Sequence, residues 1–378
     1  MALKILHTAD IHIGMSFASR GYREELRKQL VEARFEIVER IIERANDNRC
    51  DMLVIAGDLF DRPNVKKADI AKTTKIFRQF NGKCIAVLPG NHDFYDPSGE
   101  LWRNFRESAP DNSVLLSETK PYSLDELGMD IDAALYPAPC NDKHSQHSNT
   151  GWIGELQKRP QAKWHIGIAH GALHGACPDL TDRYYNMDEK ALKDLRLDLW
   201  LLGHSHVRYP DRDQFSDYRV VYSGTPEPDG FDCKHSGYFW LLTLEDDGRI
   251  SGQSLSCAKF HFREIDMKVN SGEDLEALKD HITSSSTENL LLRLSIKGQL
   301  SKEDMDLWDE IYNKIGRVVA YADRAYSELT LEITKQIIDE EFTKGSLPYK
   351  VLSNLAESGD KQTLQIAYEL IQEVRSHK

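Results

Sequence analysis

Along the amino-terminal half of the chain, apolar residues gather into short uninterrupted runs, each stopping at a glycine or a polar cluster. Ile5-Leu6-His7-Thr8-Ala9 runs into Asp10 and His12, Leu53 to Ala56 into Gly57, Asp58 and Asp61, and Ile85 to Leu88 into Gly90-Asn91-His92-Asp93. Further on, Ile166 to Ala169 ends at His170, and Leu199 to Leu202 at Gly203-His204-Ser205-His206. Short apolar runs bounded by turn formers predict buried strands. A different period lies between them. From Tyr22 to Asn46, Leu26, Leu30, Ala33, Ile37, Ile41 and Ala45 recur every three or four residues, which predicts a helix with one core-facing stripe. A second helix is expected from Lys67 to Phe80. Strand and helix thus alternate, as in an α/β core with βαβ crossovers.

The pattern continues with short strands around Val114–Leu116 and Ala133–Tyr136, a helix over Leu192–Leu197, and strands over Tyr218–Ser223 and Tyr238–Glu245. Beyond residue 262 it reads strand (Phe262–Val269), helix (Asp274–Ile282), strand (Leu290–Lys297), helix (Lys302–Ile315) and strand (Val318–Arg324). Two amphipathic helices are expected over Thr330–Lys378. Three segments follow: 1–262, a small α/β unit at 263–329, and a helical segment at 330–378. No internal repeat or low-complexity stretch interrupts them.

The length of 378 residues fits one large core with a smaller appended domain. No apolar run approaches the roughly 18 residues of a membrane span, and the chain enters a strand without a basic and apolar leader. Neither membrane insertion nor secretion is therefore expected. Cys50, Cys84, Cys140, Cys177, Cys233 and Cys257 form no CxxC pair, which argues against a zinc ribbon or disulfide framework and for reduced thiols in a cytoplasm.

The strand ends change the picture. In open α/β sheets ligands bind at the carboxyl ends of the strands, where these runs deliver carboxylates, an amide and imidazoles. Such donors without thiolates suit Mn²⁺, Mg²⁺, Fe²⁺ or Zn²⁺, and the set exceeds what one ion needs, so two ions sharing a carboxylate is the economical reading. A single Asp after a strand is usually a turn former or helix cap, and a lone HxH is usually a surface accident. Five such ends in one chain make coincidence remote. Asp61 is left with two roles, steering the site loop or its water and capping a helix. His7 reads as a core histidine. His144 and His147 have metal-pair spacing, but no strand aims them, and they are read as loop residues.

LHTADIHIG, GDLFDRP, PGNHD, AHG and GHSH resemble, in order and spacing, the motifs of the calcineurin-like metallophosphoesterases, and the wording of the first two resembles the SbcD-type exonucleases of double-strand-break repair. The resemblance covers about residues 1–245. It implies a four-layer α/β core, two mixed sheets flanked by helices, with a small α/β capping domain and C-terminal helices. It also implies one metal held by Asp10, His12, Asp58 and His206 and another by Asp58, Asn91, His170 and His204, with Asp58 the bridge. His92 would contact phosphate or protonate the leaving group, and Asp93 would orient or charge-stabilise His92. The activity implied is a two-metal DNA exonuclease with some endonuclease activity, Mn²⁺ being the leading ion.

The implied partners are DNA and a coiled-coil ATPase of SbcC type, docked through the C-terminal helices by an apolar strip of Leu364, Ile366, Leu370, Ile371 and Val374. The 263–329 unit would help position DNA; a stabilising appendage or a homodimer contact is its alternative role. The stretch TPEPDGFDCKHSGYF departs from the SbcD pattern and leaves substrate preference and docking open. Net charge is −13, whereas phosphate binding normally leaves a basic footprint. Two bound divalent ions would still make the site locally positive. The alternatives are a phosphodiesterase or phosphatase for small nucleotides and a non-catalytic scaffold for a partner.

Overall fold

A computed structural model of the chain describes residues 2–176, 183–284, 286–324 and 328–376. They fall into two compact units, Met1–Phe262 and Arg263–Lys378. The first contains β1 (Leu3–Thr8), β2 (Met52–Ala56), β3 (Cys84–Leu88), β4 (Ser113–Leu115), β5 (Tyr122–Ser123), β6 (Ala133–Ala138), β7 (Trp164–His170), β8 (Leu199–Gly203), β9 (Gln214–Ser216), β10 (Val220–Tyr222), β11 (Tyr238–Leu244) and β12 (Ile250–Ser256). Its helices are α1 (Glu24–Asp47), α2 (Lys67–Phe77), α3 (Leu101–Ser108) and α4 (Glu189–Asp194).

One sheet runs β4-β3-β2-β1-β11-β12-β9, parallel from β4 to β1 and antiparallel beyond; the other runs β10-β8-β7-β6-β5, parallel except for β5. Because side chains alternate across a strand, each run of apolar residues feeds two layers. Ile5, Met52, Val54, Ala86 and Leu88 pack between the sheets with Ile166, Ile168, Leu199 and Leu201. Leu6, Leu53, Ile55, Ile85 and Val87 face the other way, onto Val38 and Ile41 of α1, Phe77 of α2 and Phe105 of α3. Tyr136, Ala169, Trp200 and Leu202 meet Leu192 of α4 on the outer face of the second sheet. Helix, sheet, sheet and helix are four layers around a mixed α/β core.

The second unit has β13 (His261–Val269), β14 (Leu290–Leu300), β15 (Tyr321–Asp323) and β16 (Glu328–Leu331), with β15 and β16 both parallel to β14. α5 (Gly272–Thr283) and α6 (Lys302–Val318) cover this sheet through Leu275, Leu278, Trp308, Ile311 and Ile315. Three helices follow where two were expected: α7 (Lys335–Glu341), α8 (Leu347–Ser358) and α9 (Lys361–Ser376). Separate caps divide them. Ser346 accepts from Tyr349 N at the start of α8, and Gly359, at φ 76°, ends it. The expected helical segment at 330 instead begins in β16. Among the described residues no helix is long and apolar enough to cross a membrane.

Some elements differ from the sequence pattern. α4 starts earlier than Leu192 because Asp188 accepts from Ala191 N at 3.0 Å, a helix cap. α3 was not expected; its buried Leu101, Trp102 and Phe105 fit on barely two turns, too few to show a period. β12 hides in ISGQSLS, whose inward face includes Gly252 and Ser254.

Candidate metal centre

The ends of β1, β2, β3, β7 and β8 converge. Parallel pairing continues past the strands: Asp10 N donates to Gly57 O at 3.1 Å, and Ile11 N and His12 N both donate to Asp58 O at 2.9 and 3.0 Å. Asp10, His12, Asp58 and His204 have φ of 55°, 55°, 54° and 100°, the left-handed region that non-glycine residues rarely adopt. Such strain gathers at functional sites. Two glycines make the approach close enough: a Cβ on Gly57 (φ 95°) would lie 2.1 Å from His170 Nδ1, and one on Gly90 would lie 2.2 Å from Asp58 Oδ1.

His170 Nδ1 donates to Ala56 O at 2.8 Å, which fixes the ring and aims Nε2 at Asn91 Oδ1 (3.0 Å) and Asp58 Oδ2 (3.3 Å). These two oxygens, with Asp10 Oδ1 at 4.0 Å, favour a positive charge at this nitrogen. In the protein without ions a proton supplies it: burial alone would lower His170, but the charge and hydrogen bond of Asp58, then Asp10, raise it to about 9. Asp58 is held far below the usual carboxylate range, since His170 and His12 outweigh the upward push of burial. His204 donates its backbone N–H to Asp10 Oδ2 at 3.0 Å and brings Nδ1 to 3.3 Å from Asn91 Oδ1. Burial raises Asp10 to about 6 against the pull of His170 and His206.

The other side is unlike it. His12 is 2% exposed, and neither ring nitrogen has a hydrogen-bond partner; Asp58 Oδ2 is 3.9 Å away. Burial lowers its ring to about 3, so it stays neutral with a lone pair to offer. Its ring lies 4.9 Å from that of His92 and 5.5 Å from that of His206. Donor atoms of Asp10, His12 and His206 lie within 4.8 Å of one another, as do those of Asp10, Asp58 and His170. Buried carboxylates facing imidazoles, with one imidazole unsatisfied, fit divalent ions.

His92 N donates to Asp58 Oδ1 at 2.8 Å, and its Nδ1 donates to Asp61 O at 3.1 Å. Asp93 does not orient it. Its carboxylate accepts from Gly90 N (2.6 Å) and Phe60 N (2.9 Å), tying the loop after β3 to the loop after β2, and burial followed by the charge of Asp58 raises it to about 8. The expected orienting role belongs instead to the Asp61 carbonyl. The Asp61 carboxylate lies within 4.8 Å of donor atoms of His12 and His92, and burial raises its pKa. It caps no helix here, since α2 begins after Lys66. His7 is buried with Nε2 at 3.1 Å from Leu202 O. Among the described residues no donor cluster includes His144 or His147, although the His144 ring lies 5.4 Å from Tyr184, itself 4.9 Å from His204.

Residues outside the motif list complete the surroundings. Arg34 of α1, 1% exposed, donates to Ile11 O, Glu227 O and Pro228 O, pinning the loop after β1 to the 226–230 turn. Glu227 accepts from Lys259 N and Phe260 N at 2.7 and 2.8 Å. Asp229 is held at about 2 because His206 and Arg34 overcome burial. The only sequence signals were an arginine on a helix's apolar side and a carboxylate-rich turn.

Residues 3–208 match the Calcineurin-like phosphoesterase family. The chain belongs to this family. Divalent ions are the family's cofactors, and the carboxylates and imidazoles gathered here are this chain's candidate ligands for them. This phosphoesterase is 27% identical over 211 residues to the metallophosphoesterase YhaO of Bacillus subtilis, covering 54% of this chain and 49% of that one. It is 25% identical over 366 residues to the DNA double-strand break repair protein Mre11 of Methanopyrus kandleri (91% of this chain, 74% of that one) and 37% identical over 316 residues to that of Methanosarcina acetivorans (78% and 46%). It therefore spans about half the length of two of these relatives.

Proposed function

We propose that this phosphoesterase is a two-ion DNA nuclease of the Mre11 and SbcD kind, cutting phosphodiester bonds as an exonuclease with some endonuclease activity on single strands. The observation that carries this reading is the reach of the Mre11 similarity, 366 aligned residues against a family match that ends at 208. Asp10, His12, Asp58 and His206 would hold one ion, and Asp58, Asn91, His170 and His204 the other, with Mn²⁺ the leading candidate among hard divalent ions. Bound ions would supply Lewis acidity toward the phosphate and a hydroxide near neutral pH. Asp58 would be the shared ligand, its Oδ2 lying 3.3 Å from His170 Nε2 and 3.9 Å from His12 Nε2. With Nδ1–H anchored on the Asp61 carbonyl, His92 keeps Nε2 for the phosphate or leaving oxygen, where it can hold or deliver a proton.

The net charge of −13 favours the second reading, a phosphodiesterase for small nucleotides. Labelled single- and double-stranded DNA incubated with the protein and Mn²⁺, beside a chromogenic phosphodiester, separates the readings. Shortened DNA supports the nuclease. Turnover of the chromogenic ester alone supports the small-nucleotide enzyme, and no turnover of either supports a scaffold.

A coiled-coil ATPase of SbcC type is the partner we assign to the carboxyl-terminal helices. The expected strip on α9 is two faces: Leu364, Ala367 and Ile371 pack inward on Ile338 and Leu352, whereas Ile366, Leu370 and Val374 are 51%, 56% and 63% exposed. That outer row has helix-in-groove spacing. Leu370→Glu with Val374→Glu should abolish co-purification with such an ATPase while the melting temperature stays within a degree or two, since exposed substitutions change stability by about 0.5 kcal/mol or less. Unchanged co-purification would move docking elsewhere.

A further inference from the structure

The carboxylate and thiol behind His206 belong to neither proposed ion. A turn closed by Cys233 N donating to Gly230 O at 3.1 Å folds Cys233 back against Asp229. Both are buried, at 1% and 6% exposure, while the His206 side chain is 31% exposed and gives access from solvent. Cys233 Sγ lies 3.5 Å from His206 Nδ1 and 3.7 Å from Asp229 Oδ1, and Nδ1 lies 3.8 Å from that oxygen. The last separation is too long for a hydrogen bond. All three suit a shared tetrahedral ion. Zinc bonds of about 2.0–2.3 Å place neighbouring ligand atoms roughly 1.6 bond lengths apart, about 3.3–3.8 Å.

We propose that His206 Nδ1, Asp229 and Cys233 form a third cation site, selective for Zn²⁺ or a similarly borderline ion, that competes with the phosphoesterase centre for His206. Thiolate, imidazole and carboxylate with an open fourth position for water form a donor set that Zn²⁺ accepts and that Mn²⁺ and Mg²⁺ bind weakly. Filling it releases the thiol proton to solvent. The competition follows from the ring. A neutral imidazole has one lone pair; when Nδ1 binds an ion, Nε2 carries the hydrogen and cannot ligate the ion on the Asp10–His12 side. The site stands on these distances alone. Only the inhibition rests on the ligand role proposed for His206.

Co²⁺ titration of the full chain, read by thiolate-to-cobalt charge-transfer absorption, tests the site without turnover. The wild type should show the band; Cys233→Ser and Cys233→Ala, checked for native circular dichroism, should lack it. Asp229→Asn should need at least about tenfold more Co²⁺ for the same band. With Mn²⁺ and the chromogenic phosphodiester, both Cys233 variants should keep their turnover and tolerate at least about tenfold more Zn²⁺ before half inhibition. No band in the wild type, or an equal band in the Cys233 variants, overturns the site. A Cys233-dependent band with equal zinc inhibition in all proteins overturns the competition. If the protein hydrolyses no phosphodiester, the spectrum still decides the site, separately from the nuclease reading.

Discussion

His204 and His206 are separated by one serine, yet they look onto opposite kinds of surroundings. His204 belongs to a side whose polar atoms satisfy one another: Asn91 Oδ1 faces both its Nδ1 and His170 Nε2, and Asp58 pairs with His170. His206 belongs to a side where His12 has no hydrogen-bond partner and where a thiol and a carboxylate stand behind the ring. An ion arriving on the first side must displace a proton and existing contacts. On the second, His206 also holds a proton, since against burial the hydrogen bond of Cys233 and the charge of Asp10 raise it to about 10, but the unpaired His12 ring gains the partner it lacks. The two proposed ion positions are therefore unequal before any ion binds, and the inequality is written in the protein.

Removing what the two sides share should have the largest effect. Asp58→Asn is expected to abolish turnover and deplete both ions together, measured by metal content after dialysis and by hydrolysis of a chromogenic phosphodiester. Full occupancy with normal turnover would end the bridging assignment. His92→Ala removes none of the proposed ligands. It should lower kcat on the order of 10²–10⁴-fold with metal content unchanged, and loss of both ions would make His92 a ligand or a support instead.

A smaller effect probes the loop behind His206. Burial raises Glu227 from its ordinary 4.5 to about 7, against the backbone donors Lys259 N and Phe260 N. The folded protein then binds this proton more tightly than the unfolded chain, so the stabilisation is complete below about pH 4.5 and lost as pH rises through 7. In metal-free protein, the stability advantage of wild type over Glu227→Gln should shrink by about 3 kcal/mol across that window, followed by urea unfolding. A flat difference would mean that Glu227 is ionised throughout.

Much of this was legible in the residues. Strands buried on both faces write themselves as continuous apolar runs, so β1, β2, β3, β7 and β8 and the polar groups at their ends could be placed without coordinates. The contacts that distinguish the two sides could not. Asp93 sits beside His92 in sequence, yet its carboxylate turns to Gly90 N and Phe60 N, because left-handed turns and backbone donors decide where a loop side chain points. Asp229 and Cys233 reach His206 across more than twenty residues and a turn, leaving a carboxylate-rich turn and a departure from the family's wording as signals. The split of α9 into an inner and an outer row likewise needed the positions of Ile338 and Leu352.

Stepwise calorimetric titration of metal-free protein with Mn²⁺, repeated on His12→Ala and His170→Ala, tests the inequality most directly. An unpaired buried polar group costs about 1–3 kcal/mol, so two binding events roughly 10- to 100-fold apart in affinity are expected, the tighter one lost in His12→Ala and the weaker one in His170→Ala. Two equal events, or a tighter event that survives in His12→Ala, would contradict the account.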